Sequence, residues 1–231
     1  MRTNNLFALI NASAITTFFG LTSTAGILID YDDGVIGGEH DAAVNNGGFE
    51  STGTGNLADA DGWVGTVGAG VTAVRSDLPS PVGGNNAFIG FSGSGGVSAF
   101  GRDTGHLLAL GDVFEAEYDW RDAFGFDPGE SVDMVLYYTT DDTIGGTRTT
   151  LFTFNSGSEA TDSTYETEVF GPTAALADAG AVGKKLFVSF EANADNNSFS
   201  RVDNIFLSVV PEPGSLALLG LGGLLISRRR R

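Results

Sequence analysis

Between Val113 and Arg121 the side chains alternate without a break. Phe114, Ala116, Tyr118 and Trp120 fall on one side, and Val113, Glu115, Glu117 and Asp119 on the other. A period of two is a strand period, with one face buried and the other polar. Half-exposed strands of this kind belong to antiparallel sheets. Val132, Met134, Leu136 and Tyr138 repeat the pattern after the turn Asp127-Pro128-Gly129. Further strands are expected at Ile27–Asp30, Val71–Ser76, Asn86–Ser92, Arg148–Phe154, Thr164–Phe170, Lys185–Ala192 and Ser200–Val209, with Phe88 and Phe91 as core residues. The 34 glycines, with Asn, Asp, Ser and Thr between the apolar runs, suit tight turns. Thr173–Val182 carries alanine at five positions and reads as a loop with one short turn. The fold class is therefore all-β, an antiparallel β-sandwich.

The two ends follow a different logic. Met1–Ala25 begins with Arg2, runs through apolar stretches and ends at Ser23-Thr24-Ala25, small residues that suit signal peptidase. Residues 1–25 are expected to be a cleaved signal peptide. At the other end stand Pro211-Glu212-Pro213, the uncharged Gly214–Ser227, and Arg228, Arg229, Arg230 and Arg231. A helix of fourteen residues is about 21 Å long, short of the ~30 Å hydrocarbon core. An arginine cluster after an apolar run stays on the cytoplasmic side. The competing reading is an ordinary membrane anchor, or an apolar core helix with a basic end. Residues 211–231 closely resemble the PEP-CTERM sorting tail of exported bacterial proteins. That resemblance implies a short C-terminal membrane helix and processing by an exosortase-type enzyme that recognises the tripeptide. It also implies a passage through the inner membrane to the cell surface or extracellular matrix, and a link to exopolysaccharide and biofilm.

Residues 26–210 remain as one domain, long enough to bury a core. Of the 12 Lys+Arg and 29 Asp+Glu, five arginines and one glutamate lie in the terminal segments, so this span carries 7 basic and 28 acidic residues. A net charge near −21 argues against a nucleic-acid partner, whose phosphates need Lys and Arg. It is compatible with cations and with neutral carbohydrate. With no cysteine in the chain, disulfides and thiol chemistry are excluded.

Within that domain, Asn46–Glu50 (NGGFE), Gly62-Trp63 and Arg201-Val202-Asp203-Asn204-Ile205 resemble the first and last strands of galactose-binding-like jelly rolls, the fold of many carbohydrate-binding modules. The resemblance implies that the first and last strands lie together. It also implies a structural calcium (Ca2+) with Glu50 and Asp203 as ligands, helped by main-chain oxygens around Gly48. Calcium takes six to eight oxygens, so two carboxylates do not complete a site. The competing reading has Glu50 capping a turn and Asp203 accepting from a loop amide. Trp63 and Tyr137 are the expected exposed aromatics for stacking on sugar rings.

Other motifs fail on spacing. Asp30–Gly34 lacks the glycine position and the glutamate of an EF-hand loop, and Gly93–Gly96 is followed by no Gly-Lys-Ser/Thr. His40 and His106 have no context for a metal or a nucleophile pair. Glu115, Glu117 and Asp119 read as a solvated face, and no carboxylate pair stands out for glycoside hydrolysis. The expected function is a non-catalytic exported surface or matrix protein. The alternative is a calcium-stabilised glycan-binding module, with a secreted hydrolase as a distant third.

Overall fold

The structure is a computed structural model of the chain, and it describes residues 26–31, 47–49, 55–56, 62–66, 70–78, 84–91, 98–127, 130–157, 164–193 and 198–210. The expected signal peptide at residues 1–25 and the expected C-terminal helix fall outside the described residues, as do the sorting tripeptide, the arginine cluster, Glu50 and His40. Among the described residues, no helix is long and apolar enough to cross a membrane.

The strands run in chain order as β1 (Gly26–Ile29), β2 (Gly55–Asn56), β3 (Trp63–Thr66), β4 (Gly70–Arg75), β5 (Asn86–Phe91), β6 (Ser98–Leu107), β7 (Val113–Phe124), β8 (Ser131–Thr139), β9 (Arg148–Asn155), β10 (Glu166–Phe170), β11 (Lys185–Asn193) and β12 (Phe199–Val210). One 3₁₀ turn, Ala179–Ala181, breaks the connection between β10 and β11, as the alanine-rich stretch implied. All pairings are antiparallel. A seven-stranded sheet runs β10-β7-β12-β5-β4-β2, with β1 also on β12, and a five-stranded sheet runs β3-β6-β11-β8-β9. The expected all-β sandwich is the fold. The first and last strands lie together, since Gly26 faces Val209 and Ile27 faces Ser208.

The alternation of β7 explains how the layers close. Phe114, Ala116, Tyr118 and Trp120 are all buried and meet Val132, Met134, Leu136, Val188 and Phe190 of the other sheet in one core. Tyr118 ties the layers directly. Its ring meets Phe190 edge-on at 5.2 Å, and its hydroxyl donates to Val132 O at 2.8 Å and Phe154 O at 3.2 Å. A buried phenol needs those acceptors to offset its lost hydration.

Three strands escape the sequence pattern, the two-residue β2 among them. In β6 the glycines Gly101 and Gly105 and the polar Arg102 and Asp103 hide any alternation, yet its backbone bonds fill the gap between β3 and β11. In β3 the short run after Gly62 reads as loop, but Trp63 pairs across to Arg102. The core placement of Phe88 is also corrected. Ala87 and Ile89 are the inward residues of β5, so the period of two turns Phe88 to the outer face.

Candidate functional site

The outer face of the five-stranded sheet is closed by its own hairpin. Tyr137 is on that face, as its place beside inward Leu136 requires, but it is only 2% exposed. Its ring stacks on Phe187 at 5.6 Å, its hydroxyl donates to Ile144 O at 3.2 Å, and the Arg148 guanidinium lies 5.3 Å from its centroid. Ile144 itself comes down where Gly101 leaves room, its Cδ1 standing 3.3 Å from where a Cβ would be. Arg148 continues into an ion pair with Glu191, which also accepts from Ser189. Burial pushes the Tyr137 phenol up to about 12.

Tyr137 is therefore not a sugar platform. Neither is Trp63, 1% exposed, stacked on Phe100 at 5.0 Å and in ring contact with Phe49 and Phe190. Both corrections have one cause. Loop position and strand parity say which way a ring points, but not what covers it.

The outer face of the seven-stranded sheet is built differently, in rows set by register. Thr167, Asp119 and Asp203 form one row across β10, β7 and β12. Arg121, Arg201 and Phe88 form the next across β7, β12 and β5. Phe199 opposes Gly90 in the row beyond.

In the first row a bulge in β12 between Asp203 and Phe206 puts Asn204 at φ 49°, a left-handed conformation that Asn tolerates better than most residues. The turn carries Asn204 Nδ2 to Asp119 Oδ2 at 2.6 Å, while Thr167 Oγ1 donates to Asp119 Oδ1 at 2.5 Å. Asp119, expected to be solvated, is thus 6% exposed and holds two neighbouring strands. Asp203 is fully buried and accepts from the Asn204 amide at 2.8 Å. That is the loop-amide role weighed against the ion. The bulge also turns Ile205 inward, where its N–H donates to Gly47 O at 3.1 Å. So Gly47-Gly48-Phe49 and Asp203-Asn204-Ile205 do meet, as the jelly-roll resemblance implied. Among the described residues no three His, Cys, Asp or Glu side chains gather to hold an ion.

The second row is pinned from above. Arg201 Nη2 donates to Asp77 Oδ2 at 2.9 Å, Asn86 Nδ2 to Asp77 O at 2.9 Å, and the Tyr165 hydroxyl to Leu78 O at 2.9 Å. Burial pulls the Arg201 guanidinium below its ordinary range, opposed by the Asp77 carboxylate, and pushes the Tyr165 phenol upward. The Arg201 guanidinium lies 4.5 Å from the Phe88 centroid and that of Arg75 5.5 Å.

The last row, Gly90, Phe199 and Phe124, joins Phe88 of the row before it in an aromatic ledge. Phe88 and Phe199 stack at 5.2 Å and 13°, Phe124 follows at 6.4 Å from Phe199, and Phe124 is 64% exposed. The sequence reading missed this ledge. Its only signal is that Phe88, two residues from Gly90, is opposed across the sheet by a strand that starts with Phe199.

Residues 209–231 match the PEP-CTERM protein-sorting motif. The chain is thereby marked for export and membrane-associated sorting. No curated protein matches the chain in sequence. Among solved structures, a cyclase from Fischerella sp. TAU is 16% identical, with a TM-score of 0.56 over 73% of this chain and 94% of that one. The Stig cyclase Fisc from Fischerella sp. TAU, in complex with a pyrrolidinylidene-indole, is 17% identical, with a TM-score of 0.54 over 72% and 95%. At these identities the likeness shows the fold. A Family 16 Carbohydrate Binding Module-2 is 18% identical over 59% of this chain and 84% of that one, at a TM-score of 0.38, too low to bear on the function of this chain.

Proposed function

We propose that the domain is a non-catalytic glycan-binding module of an exported, tail-sorted surface protein, and that its binding face is the outer face of the seven-stranded sheet. The observation that carries this reading is the ledge of Phe88, Phe199 and Phe124 beside Arg201 and Arg75. Pyranose rings present apolar C–H faces that pack on aromatic rings, and fixed polar groups at the rim select orientation. A plain matrix protein has no use for an aromatic ledge of two half-buried rings that ends in an exposed one. The ledge therefore favours a defined ligand over a merely structural part in the matrix.

The carboxylates near the ledge support a binding role over a catalytic one. Asp119 is taken up by Asn204 and Thr167, Asp203 by the Asn204 amide, and Asp77 by Arg201. A hydrolase needs a pair held apart across a cleft, one of them protonated. The likeness to cyclases brings the fold and not their chemistry. A polysaccharide made by the cell that exports the chain is the ligand that the sorting route favours.

The test is retention of the exported chain in gels that hold candidate bacterial polysaccharides, compared with Phe124→Ala. Removing an exposed ring costs little stability. Retention that drops at least tenfold in Phe124→Ala supports the proposal. Equal retention of both forms, or none on any polysaccharide, overturns it.

A further inference from the structure

Residues 26–210 hold 7 basic side chains against 28 acidic ones, so the place where the few cations gather is informative. Three of the seven, Arg75, Arg121 and Arg201, meet on the outer face of the seven-stranded sheet. Arg121 and Arg201 stand directly opposite each other across β7 and β12, a placement that is unfavourable for like charges. Arg201 and Arg75 both lie over the Phe88 ring, and Arg121 lies 5.7 Å from the Tyr165 centroid. The aromatic ledge is thus bordered by guanidinium groups. Asp119 and Asp203 stand in the row behind them, buried and bonded to Asn204, and offset part of this charge from inside the fold.

Arg201 differs from its neighbours in what it lacks. Its side chain is 7% exposed, and its Nε and Nη1 are buried without an acceptor. A buried guanidinium with open donors is costly, and a carboxylate is the group that best relieves it. Asp77 already shows this, reaching Nη2 at 2.9 Å with a side chain that is 62% exposed. The backbone that carries Asp77 is fixed separately, because Asn86 Nδ2 donates to Asp77 O and the Tyr165 hydroxyl to Leu78 O. The Asp77 carboxylate can therefore swing into water while its segment stays in place. Exchange for another carboxylate keeps the ion pair of Arg201 and rehydrates an already exposed group.

We propose that the ligand is an acidic polysaccharide, in which the carboxylate of a uronic acid unit replaces Asp77 on Arg201, flanked by Arg75 and Arg121, while the sugar chain runs over Phe199 and Phe124. The proposal rests on reading this face as the glycan-binding face. Neighbouring rows of the sheet are two residues apart along a strand, about 7 Å, so Arg201 and the Phe199 ring are within reach of one or two sugar units. A domain charge near −21 would by itself favour a neutral glycan. At physiological salt, however, exposed charges more than about 8 Å away are largely screened, and the local guanidinium groups decide. Their planar N–H forks also orient a carboxylate, which a point charge does not.

The test runs the exported chain in native gels that hold polygalacturonate, or the same polymer with its carboxyl groups reduced to alcohols. Retention at least tenfold stronger on the uronate form is the expected result. Arg121→Gln, at a half-exposed side chain, should lower retention there at least threefold and leave that on the reduced polymer unchanged. Asp77→Asn keeps an acceptor for Arg201 Nη2 but gives up its seat more readily, and should raise retention on polygalacturonate at least threefold. Asp141→Asn, which removes the same charge from the exposed β8–β9 turn, should not. Equal retention on both polymers, lost on both in Phe124→Ala, overturns the proposal and leaves the glycan-binding reading intact. No retention on either polymer overturns the proposal, and the glycan-binding reading falls with it only when the other polysaccharides also fail. Retention on polygalacturonate that survives both Phe124→Ala and Arg121→Gln places the polymer elsewhere on the chain and overturns both readings. Asp77→Asn that is held no better than the parent overturns the exchange at Arg201.

Discussion

The ring of Phe199 occupies the space that a side chain on Gly90 would take: Phe199 Cδ1 lies 2.2 Å and Cε1 2.7 Å from where a Cβ would stand. The aromatic ledge exists because Gly90 is glycine. Gly90→Ala is expected to push Phe199 off its stack with Phe88, with an overpacking cost of about 1–3 kcal/mol. Polysaccharide retention should fall while the far-UV spectrum of the sheet persists. Thermal unfolding and gel retention, measured together, check both parts.

Gly47 makes a closer approach of another kind. A Cβ there would meet Ile205 O at 2.3 Å and Asp30 O at 2.8 Å, and both are main-chain atoms that cannot swing away. The site joins the end of β1, the Gly47–Phe49 turn and the β12 bulge. Gly47→Ala should therefore cost on the order of 3 kcal/mol or more, among the larger effects of a single substitution. Urea unfolding of the variant, with a lower midpoint at an unchanged slope, is the outcome expected.

Burial lifts the Glu168 carboxyl above its ordinary range, against the Trp120 N–H that donates to it at 3.3 Å. A folded-state pKa above the unfolded value means a contribution to stability that is complete below the ordinary glutamate pKa and lost as pH rises through the lifted one. Glu168→Gln keeps an acceptor for Trp120 and removes the titration. The variant should match the parent near pH 4 and exceed it at pH 7, by less than about 1 kcal/mol given partial exposure. Denaturant midpoints at the two pH values give the comparison.

Tyr118, Tyr137 and Tyr165 are all raised, with burial first among the causes. Tyr137 stands at about 12, with the nearby Arg148 pulling the other way. In an absorbance titration of the folded chain, these three of the five tyrosines should fail to ionise near the ordinary value of about 10. The same sign applies to stability, which is expected to fall as pH rises from about 10. A spectrum showing all five ionising together at 10 without unfolding would contradict the packing of Tyr118 against Val132 and Phe154.

Strands with an unbroken alternation were legible because side-chain parity is a local property. Val113–Arg121 shows its inward set in any window of nine residues, and the structure extends that strand only to Phe124. β6 was illegible because what makes it a strand is two neighbouring backbones, not its own side chains. Asp119 looked like any acidic residue on a polar face. Its burial is decided by Asn204, eighty-five residues away.

The sequence by itself determined the all-β class, the parity of the main strands, the acidic domain without cysteine, and the sorting motif at the terminus. Each of these depends on residue types and short spacings, which the chain displays before it folds. The tertiary structure alone decided what covers each outward ring. Tyr137 is sealed by Ile144 and Arg148, Trp63 is drawn into the core, and Phe88 is left on a ledge with Phe199 and Phe124. Exposure depends on which distant segments arrive above a side chain, and that follows from register, bulges and the space a glycine leaves.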